Sequence, residues 1–175
     1  MKAIVLIALL AVASCGLGRA PGEVFDAYLA AYAEGDADAM WELTSPGARL
    51  DARRLKAELM VVLADPDAAK RVAIEGQFGI TVDDIAPLDD KAFFGWAIRA
   101  IRHRLGAGFV RRTVEGMHFA RLEPDGDRVM VVYREASGVE SRLPLAKVDG
   151  AWRVDQSPFP ATKPSVDPAP PPAPR

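Results

Sequence analysis

Apolar positions recur at helical spacing through the first half of the chain and alternate through the second. Val24, Phe25, Tyr28, Leu29 and Tyr32 form one stripe of an α-helix, with Glu23, Asp26 and Glu34 on the opposite side. Gly35 is placed to end that helix and Asp36 to cap a second, Ala37 to Leu43, which Ser45-Pro46-Gly47 is expected to stop. A third helix is predicted from Asp51, carrying Leu55, Leu59, Val62 and Leu63. Asp65-Pro66 has the form of an N-cap followed by proline and predicts a fourth helix to about Glu75. Gly76 to Pro87 reads mostly as loop. Asp89 then caps a longer helix, Asp90 to Leu105, whose buried stripe is Phe93, Phe94, Ala97, Ile98, Ile101 and Leu105, and Gly106 closes it.

The period then changes. Arg112 to Glu123, Asp127 to Arg134, Gly138 to Val148 and Ala151 to Gln156 read as strands, with alternation clearest in Val129, Val131 and Tyr133. Pro124-Asp125-Gly126 and Ser137-Gly138 are turns. Asp149-Gly150 is the strongest hairpin signal, because both central residues of a type I′ turn need positive φ. It sets Leu145 or Val148 against Trp152 and Val154. Helices first and an antiparallel meander after define an α+β domain.

The two ends lie outside this pattern. Met1-Lys2 is a short positive segment and Ala3 to Ala13 is an unbroken apolar run. As a helix that run rises about 16 Å, roughly half a bilayer core, so it reads as the apolar part of a signal peptide and not as a membrane span. From Pro158 to Arg175 there are eight prolines in eighteen residues. Proline lacks the N–H donor and fixes φ, so this stretch is expected to be a solvated, polyproline-rich, disordered tail. The expected organisation is therefore signal peptide 1–14, anchor and short linker 15–22, folded domain 23–156 and tail 157–175.

Composition narrows the chemistry. The chain has 22 basic and 24 acidic residues, so no overall field favours nucleic acid, and no nucleic-acid partner is expected. One cysteine rules out an intramolecular disulfide and a multi-thiolate metal site, and two histidines leave little for any other. No metal or cofactor is expected. No glycine-rich phosphate loop, nucleophile elbow or HExxH pattern is present.

The single cysteine stands at the end of the apolar run, in Val12-Ala13-Ser14-Cys15-Gly16, which resembles a bacterial lipobox. That resemblance implies cleavage before Cys15, a diacylglycerol on its thiol and an acylated amine, anchoring the chain in a lipid bilayer. Two or three acyl chains make such an anchor stable. Gly16, in place of the aspartate that retains lipoproteins in the inner membrane, implies the outer membrane, with the periplasmic face favoured. Removing the signal with Lys2 leaves a formal charge of −3.

Two further segments carry a resemblance to a fold. Pro21-Gly22-Glu23 through Tyr28, then Ala33-Glu34-Gly35-Asp36-Ala37 through Leu43-Thr44-Ser45-Pro46, looks like the opening of nuclear-transport-factor-2-like domains, the cystatin-like and polyketide-cyclase-like superfamily. Lys147-Val148-Asp149-Gly150-Ala151-Trp152-Arg153-Val154-Asp155 looks like their last hairpin. The resemblance implies N-terminal helices packed on a curved, cone-shaped antiparallel sheet of about four strands. Asp51 to Leu105 would be a helical insertion longer than the family's usual middle. Superfamily members include isomerases, cyclases and dehydratases as well as non-catalytic binding and assembly modules, so fold alone does not choose the function.

Candidate cavity-lining residues are Tyr28, Tyr32, Trp41, Phe119, Tyr133 and Trp152. An isomerase- or cyclase-like reaction on an apolar substrate in the cone needs a general base beside an oxyanion donor, and no single residue is assigned as catalytic. On the predicted first strand Glu115 shares a face with Met117 and Phe119 while His118 points the other way, with Gly116 as a candidate bulge. The sequence reading therefore favours a non-enzymatic ligand-binding or assembly module over a small enzyme. A second feature is the acid-free run Lys91 to Val114 with six basic residues. Arg99, Arg102 and His103 are expected to project together away from the buried stripe, bordered by Trp96. They form a candidate patch for anionic lipid or an acidic protein partner.

Overall fold

The computed structural model describes residues 18–64 and 81–159, with positions 69, 72, 75 and 76 between them. The signal region, Cys15, the run beyond Phe159 and, apart from those four positions, the helix expected over Asp65 to Glu75 lie outside the described residues. Among the described residues, six helices with given bounds precede four strands: α1 Pro21–Glu34, α2 Ala37–Leu43, α3 Pro46–Leu63, α4 Val82–Ile85, α5 Asp90–Leu105, α6 Ala107–Glu115, β1 His118–Asp125, β2 Arg128–Arg134, β3 Glu140–Val148 and β4 Ala151–Val154. The strands form one antiparallel sheet in the order β1-β2-β3-β4, curled but not closed. The arrangement is α+β, as expected. Among the described residues no helix is long and apolar enough to cross a membrane.

The helix ends follow local chemistry. Asp36 Oδ1 accepts from the Ala39 N–H at 2.9 Å, and Asp89 Oδ1 accepts from the Ala92 N–H at 2.7 Å, capping α2 and α5. Gly35 takes a left-handed φ of 76°, where an L side chain would be strained. Three expectations are corrected. α2 ends at Leu43, ahead of Ser45-Pro46 as expected, but no gap follows it. Ser45 is the N-cap of α3, accepting from the Ala48 N–H at 3.1 Å with Pro46 in the first turn, so that helix starts five residues before Asp51. Gly76 to Pro87, expected to be mostly loop, contains the short α4.

The third correction concerns Arg112 to Glu123. Its first four residues end helix α6, and the strand starts at His118. Val110, Thr113 and Val114 favour strands intrinsically, but α6 packs on α1 and buries Val110, and tertiary packing outweighs propensity. Glu115 consequently shares no strand face with Phe119, and Gly116 is a helix cap. The irregularity in register falls between Phe119 and Arg121.

The core fills the space between the concave face of the sheet and α1, α2 and α5. Phe25, Met40, Phe93, Phe94, Ile98, Val131, Leu145 and Val154 are among its members. Leu105, assigned to the α5 stripe, is 48% exposed at the helix end. Asp149 (φ 49°) and Gly150 (φ 82°) both take positive φ, as the type I′ turn requires, and the turn sets Leu145 opposite Val154 and Lys147 opposite Trp152. The α2–α3 junction is tied to the free edge of β4. The Ser45 N–H donates to the Val154 carbonyl at 2.8 Å, and the Ser45 hydroxyl donates to Asp155 Oδ1 at 2.5 Å. Asp155 also pairs with Arg128 at 3.1 Å.

One residue of the expected tail belongs to this core. Phe159 is 6% exposed and meets Phe94 edge-on, ring centroids 5.5 Å apart. The domain therefore runs past the boundary expected at Gln156. Flanking prolines exclude ladder hydrogen bonds but do not prevent an apolar ring from packing.

Candidate functional site

The stripe on α1 builds one wall of a cavity. Helical periodicity places Phe25, Tyr28, Leu29 and Tyr32 on one face, and Tyr133 and Leu143 reach the same space from neighbouring strands. Met117, leading into β1, and Gln156, Ser157 and Pro158, following β4, complete the lining of a cavity of about 200 Å³. Phe25 and Tyr133 pack across it with centroids 5.3 Å apart and rings tilted by 36°. All three tyrosines of the chain thus line one space.

Their hydroxyls differ in surroundings. Burial pushes the Tyr28 phenol well above its ordinary range, with nearby Tyr32 adding to the shift and hydrogen bonding with Thr44 opposing it. Thr44 is itself buried and donates to the Met40 carbonyl at 2.7 Å. Burial also raises Tyr32, countered by the charge of Arg102. Tyr133 is raised by its half-burial, with hydrogen bonding to Ser141 working the other way. The phenols are therefore held neutral, as hydrogen-bond donors and acceptors rather than as bases. Among the described residues the lining contains no carboxylate, imidazole or amine. Chemically, it can enclose a small apolar body and hydrogen-bond one polar group.

The other three candidate cavity residues lie elsewhere. Trp41 sits edge-on to Phe94 at 5.4 Å and carries the Arg49 guanidinium 4.5 Å above its ring. Trp152 is half-buried and lines a separate cleft of about 330 Å³ with Arg19, Val24, Ala39, Glu42, Leu43, Ala151 and Arg153. Phe119 is 45% exposed on the edge strand β1. Its ring approaches the backbone of Gly22 at the start of α1, where an added Cβ would stand 3.8 Å from Cε2.

The basic patch is taken apart by the fold. Arg102, expected on the solvated side of α5, turns back onto the C-terminal end of α1 and donates to the carbonyls of Tyr32, at 2.8 Å, and Ala33. The last carbonyls of a helix lack intrahelical partners, and a guanidinium fork is suited to them. Arg99 lines a cleft of about 450 Å³ that also carries Asp36, Asp38, Asp89 and Lys91, a mixed-charge rim rather than a cationic one. Lys91 pairs with Asp38 at 3.2 Å and Glu42 at 3.5 Å. His103 is exposed, and Trp96 stacks on Phe93 at 5.5 Å. No group of three or more His, Cys, Asp or Glu among the described residues could hold a metal ion.

Sequence reasoning missed Met117, Gln156 and Pro158 as lining and Thr44 as the partner of Tyr28. Only Thr44 carried a local signal, as the small polar residue ending α2. Compared with models of known families, with curated proteins and with solved structures, the chain finds no match in any of the three.

Proposed function

We propose that this chain is a lipid-anchored protein of the bacterial cell envelope whose domain binds a small, mainly apolar ligand without transforming it. One observation carries the binding reading: the cavity bounded by Phe25, Leu29, Leu143 and three neutral tyrosines. An apolar enclosure with a few convergent hydroxyls is the usual form of a small-molecule site, and about 200 Å³ suits a single ring or a short acyl chain. Its lining favours binding over catalysis, because none of its side chains titrates near neutrality. The Gly35-Asp36 helix break and the Asp149-Gly150 hairpin support a relationship to nuclear-transport-factor-2-like domains.

The anchor rests on the lipobox-like Val12 to Gly16. Cys15→Ser should abolish labelling by a palmitate analogue and release the protein from the membrane fraction. Labelling that persists in the mutant would refute the anchor. For the cavity, the probes are phenol and a short primary alcohol, followed by calorimetry and by chemical shifts of the lining residues. Roughly ten non-hydrogen atoms at about 0.4–0.8 kcal/mol each give dissociation constants in the micromolar to millimolar range. Leu143→Phe, which fills the space, should remove saturable binding and leave the fold intact. Binding that is absent in the wild type, or unchanged in Leu143→Phe, would overturn the reading.

A further inference from the structure

We infer that one end of the domain rests directly on lipid headgroups: the end formed by the β3–β4 turn and the residues leading into α1. This inference rests on the lipid anchor proposed above and adds an orientation to it. Gly18 lies against the hairpin turn, where a Cβ added to it would be 3.5 Å from the Gly150 carbonyl oxygen and 3.5 Å from Ala151 Cα. Only Gly16 and Leu17 separate that point from Cys15. Three residue steps, fully extended, reach about 10 Å. An acylated Cys15 therefore holds the β3–β4 turn within headgroup distance of the bilayer whatever path the two residues take.

The surface around that point has the composition of a membrane interface. Trp152 is half-buried in the cleft that Arg19 and Arg153 line. Lys147, in register with Trp152, places its ammonium 5.9 Å from the indole centroid. An indole beside basic side chains suits the headgroup layer, where one end of each is apolar and the other wet. Glu42 and Asp149 lie in the same region, so the attraction is local to the three cations and short in range. Arg99, Arg102 and His103 are at the other end of α1, since Arg102 reaches the carbonyls of Tyr32 and Ala33. A helix of 14 residues puts about 20 Å between the two ends. The basic run that sequence singled out for anionic lipid is thus directed away from the membrane.

The experiment uses the full lipidated chain, inserted into phosphatidylethanolamine–phosphatidylglycerol vesicles that contain a headgroup spin-labelled lipid. Acylation blocks the Cys15 thiol, so a single introduced cysteine carries an environment-sensitive fluorophore. Lys147→Cys and His103→Cys are both exposed positions, and Arg19→Cys with Arg99→Cys provides a second pair. Quenching at positions 147 and 19 should be several times that at 103 and 99. Equal quenching at the two ends, or stronger quenching at 103 and 99, overturns the orientation. Intact-mass analysis of the same samples reports the acyl chains separately. An unacylated Cys15 overturns the anchor and the orientation with it, whereas an acylated protein with reversed quenching overturns the orientation alone.

Discussion

Replacing Phe159 by alanine tests where the domain ends. Its ring is 6% exposed, lies edge-on to Phe94 at 5.5 Å and belongs to the same core as Phe93, Ile98 and Leu145. Truncating a buried phenylalanine costs about 3–5 kcal/mol, including about 0.5–1.5 kcal/mol from an aromatic pair. Phe159 sits on a segment outside any helix or strand, so its neighbours can collapse into the vacancy more fully than around a ring held by a strand. We therefore expect about 2–3 kcal/mol. For a domain of this size that is a fall in Tm of roughly 6–12 °C. The assay is urea and thermal unfolding of the acyl-free domain, comparing Phe159→Ala with Phe159→Leu, which keeps most of the apolar volume and should lose about half as much. Chains ended after Gln156 and after Phe159 should differ from one another by a similar amount. A Phe159→Ala shift below about 2 °C would show that the ring is not part of the cooperative core.

Arg102→Ala should destabilise by about 1–3 kcal/mol, because it strips partners from two helix-end carbonyls, and Arg102→Lys should recover little of the loss. Urea unfolding of both variants checks this, and a lysine variant as stable as wild type would refute the forked contact. Asp155→Ala separates the Ser45 hydroxyl at 2.5 Å and Arg128 at 3.1 Å from their shared carboxylate, and should cost about 1–3 kcal/mol with unfolding reported by tryptophan fluorescence. Alkaline pH should weaken the fold through the tyrosines. Tyr28, Tyr32 and Tyr133 all have folded-state pKa values raised above the unfolded 10.0, so the unfolded chain loses protons first. Their contribution is fully present below about pH 10 and falls above it, by at most about 1.4 kcal/mol per pH unit for each phenol. Tyr28→Phe should flatten that fall in urea titrations between pH 9 and 11, and an unchanged slope would refute the assignment.

Those features of the fold that depend on neighbours in sequence were legible. Asp36 and Asp89 declare helix starts because the side chain of a cap bonds an amide three residues on, and Asp149-Gly150 declares its turn because two positive φ values fit few other pairs. Ser45-Pro46 shows how one dipeptide serves two signals. It can break a helix or begin one, and only the bond from the Ser45 N–H to Val154, far along the chain, shows that α2 and α3 share the junction. The segment before β1 was misread for the opposite reason. Its β-branched residues carry a local preference for strand, which the packing of α6 on α1, with Val110 buried, overrides.

The site divides along the same line. Tyr28 and Tyr32 belong together on any amphipathic helix, because a spacing of four puts them on one face. That Tyr133 joins them depends on sheet curl and on register with β1 and β3, neither of which a single strand's pattern contains. The six basic residues of Lys91 to Val114 make the point with charge. A count of cations along a helix predicts a field only if the side chains stay in solvent. Arg102 is instead consumed by the end of α1, and Lys91 by Asp38 and Glu42, while Arg99 faces a rim with three carboxylates. The cleft that Arg99 lines is therefore mixed in charge. Arg19, Lys147 and Arg153, by contrast, are scattered in sequence and gathered around Trp152 only by the hairpin and the start of α1.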